Sequence, residues 1–129
     1  MSEAKIRAEM VAACKKLEAD GLNRGAAGNV SVRVEDQMLI TPTSVSYDKI
    51  MPEMMAKMAV SDNGGAWEGP NGPSSEWRFH RDIMCQRTDI NAVVHTHAPW
   101  CTILADARKP IPAIHYMIAA FGGPDIRVA

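Results

Sequence analysis

The chain has 129 residues, and its 14 basic and 15 acidic residues nearly cancel. This length allows one domain with a real core, so we expect a single domain over residues 1–129. Balanced charge without a basic cluster argues against a nucleic-acid partner, and no apolar run approaches the roughly 18 residues of a membrane span. The first residues also lack the pattern of a secretory signal, which predicts a cytoplasmic protein with no membrane partner.

The cysteines support that prediction. Cys14, Cys85 and Cys101 are odd in number, have no Cys-x-x-Cys spacing and follow or precede apolar residues. They are therefore expected to be buried free thiols in a reducing compartment.

The first forty residues predict a helix followed by a hairpin. Apolar residues recur every three to four positions between residues 3 and 20, the spacing of an amphipathic helix, and Gly21 would end it. Strict alternation predicts a strand over residues 30–34. A turn at Glu35 and Asp36 would pair that strand with residues 38–41.

The next elements are less regular. Residues 47–50 favour a short helix that ends before Pro52, and residues 55–60 favour a third strand. A loop rich in Gly and Pro then leads to a helix ending near residue 86. Ser74 or Ser75 would cap this helix, with Glu76 in its first turn, where the helix dipole favours a carboxylate.

The last third contains one more strand and one more helix. The β-branched apolar run at residues 92–94 predicts a buried strand. A helix over residues 99–107 would carry Trp100, Ile103 and Leu104 into the core, and residues 126–129 resemble the start of another strand.

A pair of histidines follows the apolar run. Residues i and i+2 of a strand share a face, so His95 and His97 can present two imidazoles to one metal ion. Imidazole suits zinc first, although another divalent metal would also fit. The same pair could be two ordinary polar residues at a sheet margin. His80 and His115 are better interpreted as hydrogen-bonded structural histidines than as ligands.

Three polar loops accompany this pair. Gly28-Asn29, Thr43-Ser44 and Ser74-Ser75 offer backbone N–H groups and short polar side chains, and a helix begins behind Ser75. Such groups can hold a phosphate without a formal positive charge. Each loop could also be a plain turn. Together with the histidines they suggest a phosphorylated small molecule bound beside a metal.

Five motifs carry a resemblance to a known family. They are G-N-V-S at 28–31, I-T-P-T at 40–43, P-S-S-E-W-R-F-H at 73–80, N-A-V-V-H-T-H at 91–97 and I-P-A-I-H-Y-M-I-A-A at 111–120. In this order they resemble the class II aldolase and adducin family. The resemblance implies an α/β fold with three αβα layers around a largely antiparallel sheet. It also implies a homotetramer with active sites at subunit interfaces.

The resemblance further implies a zinc-dependent aldolase. Such an enzyme reversibly cleaves a sugar phosphate of the fuculose 1-phosphate type to dihydroxyacetone phosphate and an aldehyde. His95 and His97 would bind the zinc ion, with Glu76 beside the ion as proton acceptor and donor. Tyr116 would assist proton transfer from the adjacent subunit. The phosphate would be held by the three polar loops, at Gly28, Asn29, Thr43, Ser44, Ser74 and Ser75.

Two departures from the family pattern matter. Ser44 stands where the family usually has Gly, so its side chain could crowd the phosphate. The family's third zinc histidine lies beyond position 129, which leads us to expect a truncated, cleaved or partial chain.

Three alternatives share the fold. One is a pentulose-phosphate 4-epimerase, which resembles this chain but has Asp where Glu76 stands. Another is a dehydratase acting on methylthioribulose phosphate. The last is an adducin-like interaction module without catalysis, which the intact His95, His97 and Glu76 argue against.

Overall fold

The computed structural model describes residues 2–128 and divides the chain into two compact units, with Thr96 the last residue of the first and His97 the first of the second. The first unit contains a four-stranded antiparallel sheet with helices, so the fold class is α/β as predicted. No helix within the described residues is long and apolar enough to cross a bilayer.

The predicted first helix and hairpin are confirmed. Helix α1 spans Glu3–Ala19, and its N-terminus is capped by the Ser2 hydroxyl, which accepts a hydrogen bond from the Lys5 N–H. Strand β1 spans Asn29–Val34 and pairs with β2, which spans Gln37–Ile40. Alternating apolar residues and a two-residue turn are enough to specify this hairpin.

Two further strands complete the sheet. Strand β3 spans Ala56–Ala59 and pairs with β2, while β4 spans Ala92–His95 and pairs with β1. The strand order is β3-β2-β1-β4, which places β4 at the edge beside β1.

Helices cover both faces of the sheet. Met10 and Cys14 of α1 pack with Val30 and Leu39 on one face. On the other face, helix α2, which spans Trp77–Gln86, contributes a second set of contacts. Those contacts join Trp77 and Met84 to Met38, Ile40, Ala56 and Met58. The first unit is therefore a three-layer αβα arrangement, because successive side chains of each strand point to opposite faces.

The second unit has little core of its own. Helix α3 spans Pro99–Asp106, and a 3₁₀ segment spans Tyr116–Phe121. Trp100 is 81% exposed and Ile103 is 57% exposed, so the prediction that α3 carries them into the core is wrong. Within the described residues of this unit only Ile118 is buried, and the unit contains no sheet against which the helix could pack.

Several local predictions also need correction. Residues 47–50 form a turn and not a helix, and Pro52 begins a 3₁₀ segment, Pro52–Met54, where the prediction had it ending a helix. Proline suits a first helical position because its φ is already helical and its missing N–H would have no partner there. Ile126 makes only an isolated bridge with Ile111, and Ala129 of the predicted last strand lies outside the described residues.

The strand β4 is not the buried strand that was predicted. Ala92 is exposed and Val94 is 53% exposed, whereas Val93 packs beneath α2 with the apolar cluster on that face. An apolar run does not reveal that its strand will lie at an edge. The cysteine prediction is likewise wrong for Cys85 and Cys101, which are exposed, and right for Cys14.

Candidate metal and substrate site

The site lies where β1 begins and β4 ends. Asn29, the first residue of β1, pairs across the sheet with His95, the last residue of β4. Asn29 and Ser31 are two residues apart and therefore share the face that α2 covers. Polar residues on that face must find partners beneath the helix, because an unpaired buried polar group is costly.

The start of α2 delivers a carboxylate to these residues. Glu76 is the residue before the helix and not part of its first turn, since the helix begins at Trp77. Ser74 fixes this start, because its hydroxyl accepts from the Glu76 N–H at 3.3 Å and its carbonyl accepts from the Trp77 N–H at 3.0 Å. The Glu76 Oε2 atom then accepts from Asn29 Nδ2 at 2.7 Å and lies 4.0 Å from His95 Nε2.

Three side chains that can bind a metal ion come together here. Glu76, His95 and His97 each place one ligand atom within 4.8 Å of the other two. Two imidazole nitrogens and a carboxylate oxygen form a donor set that zinc accepts in catalytic sites, where three protein ligands leave one position for substrate. The donor chemistry and the spacing both fit a single divalent cation.

Exposure and aromatic contacts also suit a metal site. The side chains of His95 and Glu76 are 29% and 39% exposed, so a ligand can reach them. The Phe79 ring lies beside His95 and His80, with its centroid 5.2 Å from that of His95 and 4.4 Å from that of His80.

Behind the carboxylate lies a buried polar chain. Ser31 and His80 are fully buried, and Asn29 is 3% exposed. The Ser31 Oγ atom lies 2.7 Å from His80 Nδ1, while His80 Nε2 contacts the Asn29 Oδ1 atom. The prediction that His80 is a hydrogen-bonded structural histidine is confirmed. Burial lowers the pKa of His80 to about 4, with a further lowering from His95 and an opposing effect of Glu76.

The three polar loops are joined by Thr41. Its N–H donates to the Val30 carbonyl at 3.0 Å, and its hydroxyl accepts from the Val30 N–H at 3.2 Å, beside Asn29. Its carbonyl accepts from the Ser74 N–H at 2.9 Å, and Thr43 N–H donates to Gly72 O at 3.0 Å. These bonds hold all three loops at the same end of the first unit. The hydroxyl groups of Thr43, Ser44 and Ser75 belong to exposed residues.

Gly28 and Ser44 both adopt left-handed backbone conformations. Gly28 has φ +72°, and a Cβ there would lie 2.4 Å from Asn23 Nδ2 and 2.6 Å from the His95 carbonyl oxygen. Ser44 has φ +57°, the region that glycine adopts without strain. The positive φ at position 44 explains why a glycine suits this position. Ser44 keeps the same turn at a modest cost in backbone strain.

Tyr116 belongs to the second unit. Its side chain is 80% exposed, and its ring centroid lies 4.5 Å from that of His115. His115 accepts a hydrogen bond from the Met117 N–H at 3.2 Å, as expected of a structural histidine. The catalytic role of Tyr116 stays a prediction.

Sequence reasoning missed the supporting role of Ser31 and His80. A signal was present, because Asn29 and Ser31 alternate with the apolar Val30, Val32 and Val34 on β1. Such alternation usually places the polar side chains in solvent. Only the helix on that face makes them buried groups that need partners.

Taken together, these features define an α/β domain with an accessible His, His and Glu donor set at one sheet edge. The class of protein that the fold and the site indicate is an α/β domain whose donor set could hold one divalent cation. Comparison with known proteins is more specific. Residues 8–129 match the family described as "Class II Aldolase and Adducin N-terminal domain", and the chain belongs to that family.

Its relatives include named aldolases. A Rhodospirillum rubrum protein named 5-methylthioribulose-1-phosphate/5-deoxyribulose-1-phosphate aldolase is 48% identical over 123 residues, covering 95% of this chain and 54% of that protein. An Escherichia coli L-fuculose phosphate aldolase is 46% identical over 129 residues, covering 100% of this chain and 59% of that protein. A solved structure of an L-fuculose 1-phosphate aldolase superposes with a TM-score of 0.86 at 36% identity, covering 98% of this chain and 59% of that one. The chain thus spans little more than half the length of these relatives.

Proposed function

We propose that the protein is a metal-dependent aldolase that reversibly cleaves a ketose 1-phosphate to dihydroxyacetone phosphate and an aldehyde. The observation that carries this proposal is the approach of one carboxylate, Glu76, to two imidazoles, His95 and His97, within 4.8 Å. The names of the Rhodospirillum rubrum relative and of the solved structure support the same reaction, since both name ketose 1-phosphates.

The reacting part of these substrates is common to both. A phosphate on C1, a ketone at C2 and a hydroxyl at C3 become dihydroxyacetone phosphate when the C3–C4 bond breaks. The rest of the sugar leaves as the aldehyde. The proposal therefore rests on recognition of the shared half, whereas the aldehyde half decides between a fuculose-type and a deoxyribulose-type substrate.

The donor set would hold zinc or another divalent cation, which would act as a Lewis acid and stabilise negative charge developing on the substrate oxygens. Glu76 would exchange a proton with C3 of the dihydroxyacetone phosphate half. In cleavage it returns the proton to that carbon, and in synthesis it removes it. The bond from Asn29 Nδ2 holds the carboxylate in place for both directions.

The phosphate would bind at the loops joined by Thr41. Gly28, Asn29, Thr43, Ser44, Ser74 and Ser75 contribute backbone N–H groups, hydroxyl groups and an amide at this end of the unit. Because the Ser74, Glu76 and Trp77 N–H groups already have internal acceptors, the exposed hydroxyl of Ser75 is the donor of that loop best placed for an incoming phosphate. Tyr116, contributed by an adjacent subunit, would assist proton transfer.

Assembly and location complete the proposal. A cytoplasmic homotetramer with active sites between subunits is supported by exposed apolar side chains of the second unit and by three free cysteines. The exposed residues include Trp100, Ile114, Tyr116 and Phe121. Large exposed apolar side chains of this kind support an interaction surface on the second unit.

A direct assay tests the reaction. The purified protein is incubated with fuculose 1-phosphate, 5-deoxyribulose 1-phosphate and ribulose 5-phosphate, and dihydroxyacetone phosphate is measured. We expect product from one or both 1-phosphates. Epimerisation of ribulose 5-phosphate without this product would instead support the epimerase alternative.

The role of Glu76 is tested by Glu76→Gln. The amide keeps the size of the side chain but cannot act as a base, so kcat should fall by about 10²- to 10⁴-fold. Bound metal, measured by elemental analysis, should persist through His95 and His97. The control is Glu35→Gln, which alters an exposed carboxylate in the turn at the other end of β1 and should leave kcat unchanged. Equal turnover in wild type and Glu76→Gln would refute the assignment.

A further inference from the structure

The buried polar chain behind Glu76 has a defined direction. Ser31 and His80 have no exposed surface, Asn29 has 3%, and the chain ends on the partly exposed carboxylate of Glu76. Its contacts run from Ser31 Oγ to His80 Nδ1 at 2.7 Å, from His80 Nε2 to Asn29 Oδ1, and from Asn29 Nδ2 to Glu76 Oε2 at 2.7 Å.

The hydrogen positions follow from the carboxylate end. An ionised carboxylate only accepts hydrogen bonds, so Asn29 must turn its NH₂ group toward Glu76. Its carbonyl oxygen, which also only accepts, then faces His80, and His80 must therefore carry its hydrogen on Nε2. In a neutral ring the other nitrogen, Nδ1, accepts, and the donor available to it is the Ser31 hydroxyl.

The reverse arrangement is unfavourable at the Asn29 contacts, whereas the Ser31 hydroxyl can serve either tautomer because it both donates and accepts. With hydrogen on Nδ1 alone, the bare Nε2 lone pair would face the Asn29 carbonyl oxygen. A rotated Asn29 amide would then put its oxygen against the Glu76 carboxylate. Both contacts would repel in a buried region, where unpaired polar groups are most costly.

We propose that His80 is a positioning residue which, as the neutral Nε2–H tautomer, holds the Asn29 amide in the single orientation that donates to Glu76 and so fixes the carboxylate beside His95. This role rests on the proposed function, because it assigns a task to the carboxylate that exchanges the proton. Partners that orient catalytic or metal-binding groups typically change activity or metal affinity by 10- to 100-fold when they are removed.

The tautomer is measured first, on the metal-free protein at pH 7, by long-range ¹H–¹⁵N correlation of the histidine rings. We expect the Nε2–H pattern for His80. A ring protonated at Nδ1 alone, or at both nitrogens, would overturn the proposal. This readout is independent of catalysis, so it stands even if the protein proves not to be an aldolase.

Two substitutions at His80 test the consequence. In His80→Gln the side-chain amide can still donate near the Nε2 position, whereas His80→Met has similar bulk and no donor. We expect kcat to fall by about 10- to 100-fold in His80→Met, with KM changed by less than about threefold, and to recover most of the loss in His80→Gln. Equal losses in the two variants would refute positioning through the hydrogen bond.

A matched control separates positioning from loss of stability. Met84→Ala removes a fully buried side chain one turn further along α2 and lies outside the polar chain. We expect it to lower the unfolding temperature while kcat stays within about twofold of wild type. A drop in kcat equal to that of His80→Met would show that destabilised packing, and not positioning, explains the effect.

A further variant keeps His80 and tests the proposal even if the His80 variants do not fold. Ser31→Ala removes only the partner of His80 Nδ1, while the Asn29 carbonyl oxygen still requires a hydrogen on Nε2, so the His80 ring should keep its Nε2–H pattern. Signals averaged between the two tautomers in Ser31→Ala would show that Asn29 and Glu76 do not set the tautomer, and would refute the proposal. Absence of aldolase activity in wild type, together with the expected tautomer, would count against the proposed function and leave the hydrogen-bond arrangement intact.

Discussion

At the scale of single residues, Gly28 brings the backbone of the first polar loop against His95, one of the three residues that can bind a metal ion. Its positive φ and its close approach to Asn23 and the His95 carbonyl leave no room for a Cβ. Gly28→Ala should therefore cost about 1–3 kcal/mol of backbone strain and also displace the end of β4, which would weaken metal binding at His95. Denaturant unfolding and zinc titration measure the two effects.

The control for this change is built into the same loop. Gly25 also has a positive φ, +60°, but no heavy atom lies within 4 Å of a Cβ placed there. Gly25→Ala should share the backbone cost and leave zinc affinity unchanged. If both variants lost zinc affinity to the same extent, the close approach at Gly28 would not be the cause.

His80 should also make stability depend on pH. Its folded pKa of about 4 lies below the 6.5 of an unfolded histidine, so the unfolded chain binds the proton first as pH falls. The contribution is complete above about pH 6.5 and is lost between there and about pH 4. Metal-free wild type should thus lose about 2–3 kcal/mol more than His80→Gln between pH 7.5 and 4.5, measured by urea unfolding.

An exposed histidine provides the comparison. His115 lies on the surface of the second unit, where its imidazole is accessible to solvent. His115→Gln should keep the pH dependence of wild type. A His80→Gln protein that followed the wild-type curve would contradict the account of His80 as a buried neutral ring.

At the scale of elements, the three cysteines differ in burial according to the helix face on which each lies. Cys14 lies on the buried face of α1, and burial raises its pKa to about 11. Cys85 of α2 and Cys101 of α3 are exposed. Since the thiolate is the reactive form, a thiol reagent at pH 8 should label two cysteines quickly and the third only after unfolding.

Substitution identifies the slow thiol. Cys14→Ala should remove the slow phase and leave the two fast reactions, whereas Cys85→Ala should remove one fast reaction. Rapid labelling of all three cysteines in the folded protein would contradict the packing of α1 against the sheet.

The elements also show where local patterns suffice. The helix α1 and the β1–β2 hairpin follow from periodicity and a short turn, which act between neighbouring residues. The same reasoning failed for β4 and α3. Their apolar residues predicted burial, but burial depends on which element lies opposite, and that is decided by sheet order and by contacts far apart in the chain.

At the scale of the whole molecule, the second unit presents the most exposed aromatic side chains of the described residues. Trp100 is 81% exposed and Tyr116 is 80% exposed. If this surface joins subunits, Trp100→Ala should weaken self-association by about 10-fold or more, since buried tryptophans are frequent hot spots. Sedimentation over a concentration series measures the change.

Trp67 offers a matched control in the first unit. It is 51% exposed, so its truncation removes a similar side chain from a different surface. Trp67→Ala should leave association unchanged. Equal effects of the two variants, or a wild-type protein that stays monomeric at all concentrations, would contradict the proposed assembly.

The sequence by itself determined the chemistry available to this protein. It supplied the His95-x-His97 pair, the carboxylate of Glu76, the three polar loops and five ordered motifs that resemble one family. These are local patterns, and spacing along one chain is enough to recognise them. The family assignment is confirmed by the match over residues 8–129.

Only the tertiary structure decided how those residues meet. The register that pairs Asn29 with His95, and the helix that buries Ser31 beneath His80, come from sheet order and layer packing. Periodicity cannot supply either, because hydrogen bonds between residues about fifty positions apart depend on the folded chain as a whole. The buried polar chain behind Glu76 is therefore a property of the fold that no local pattern revealed.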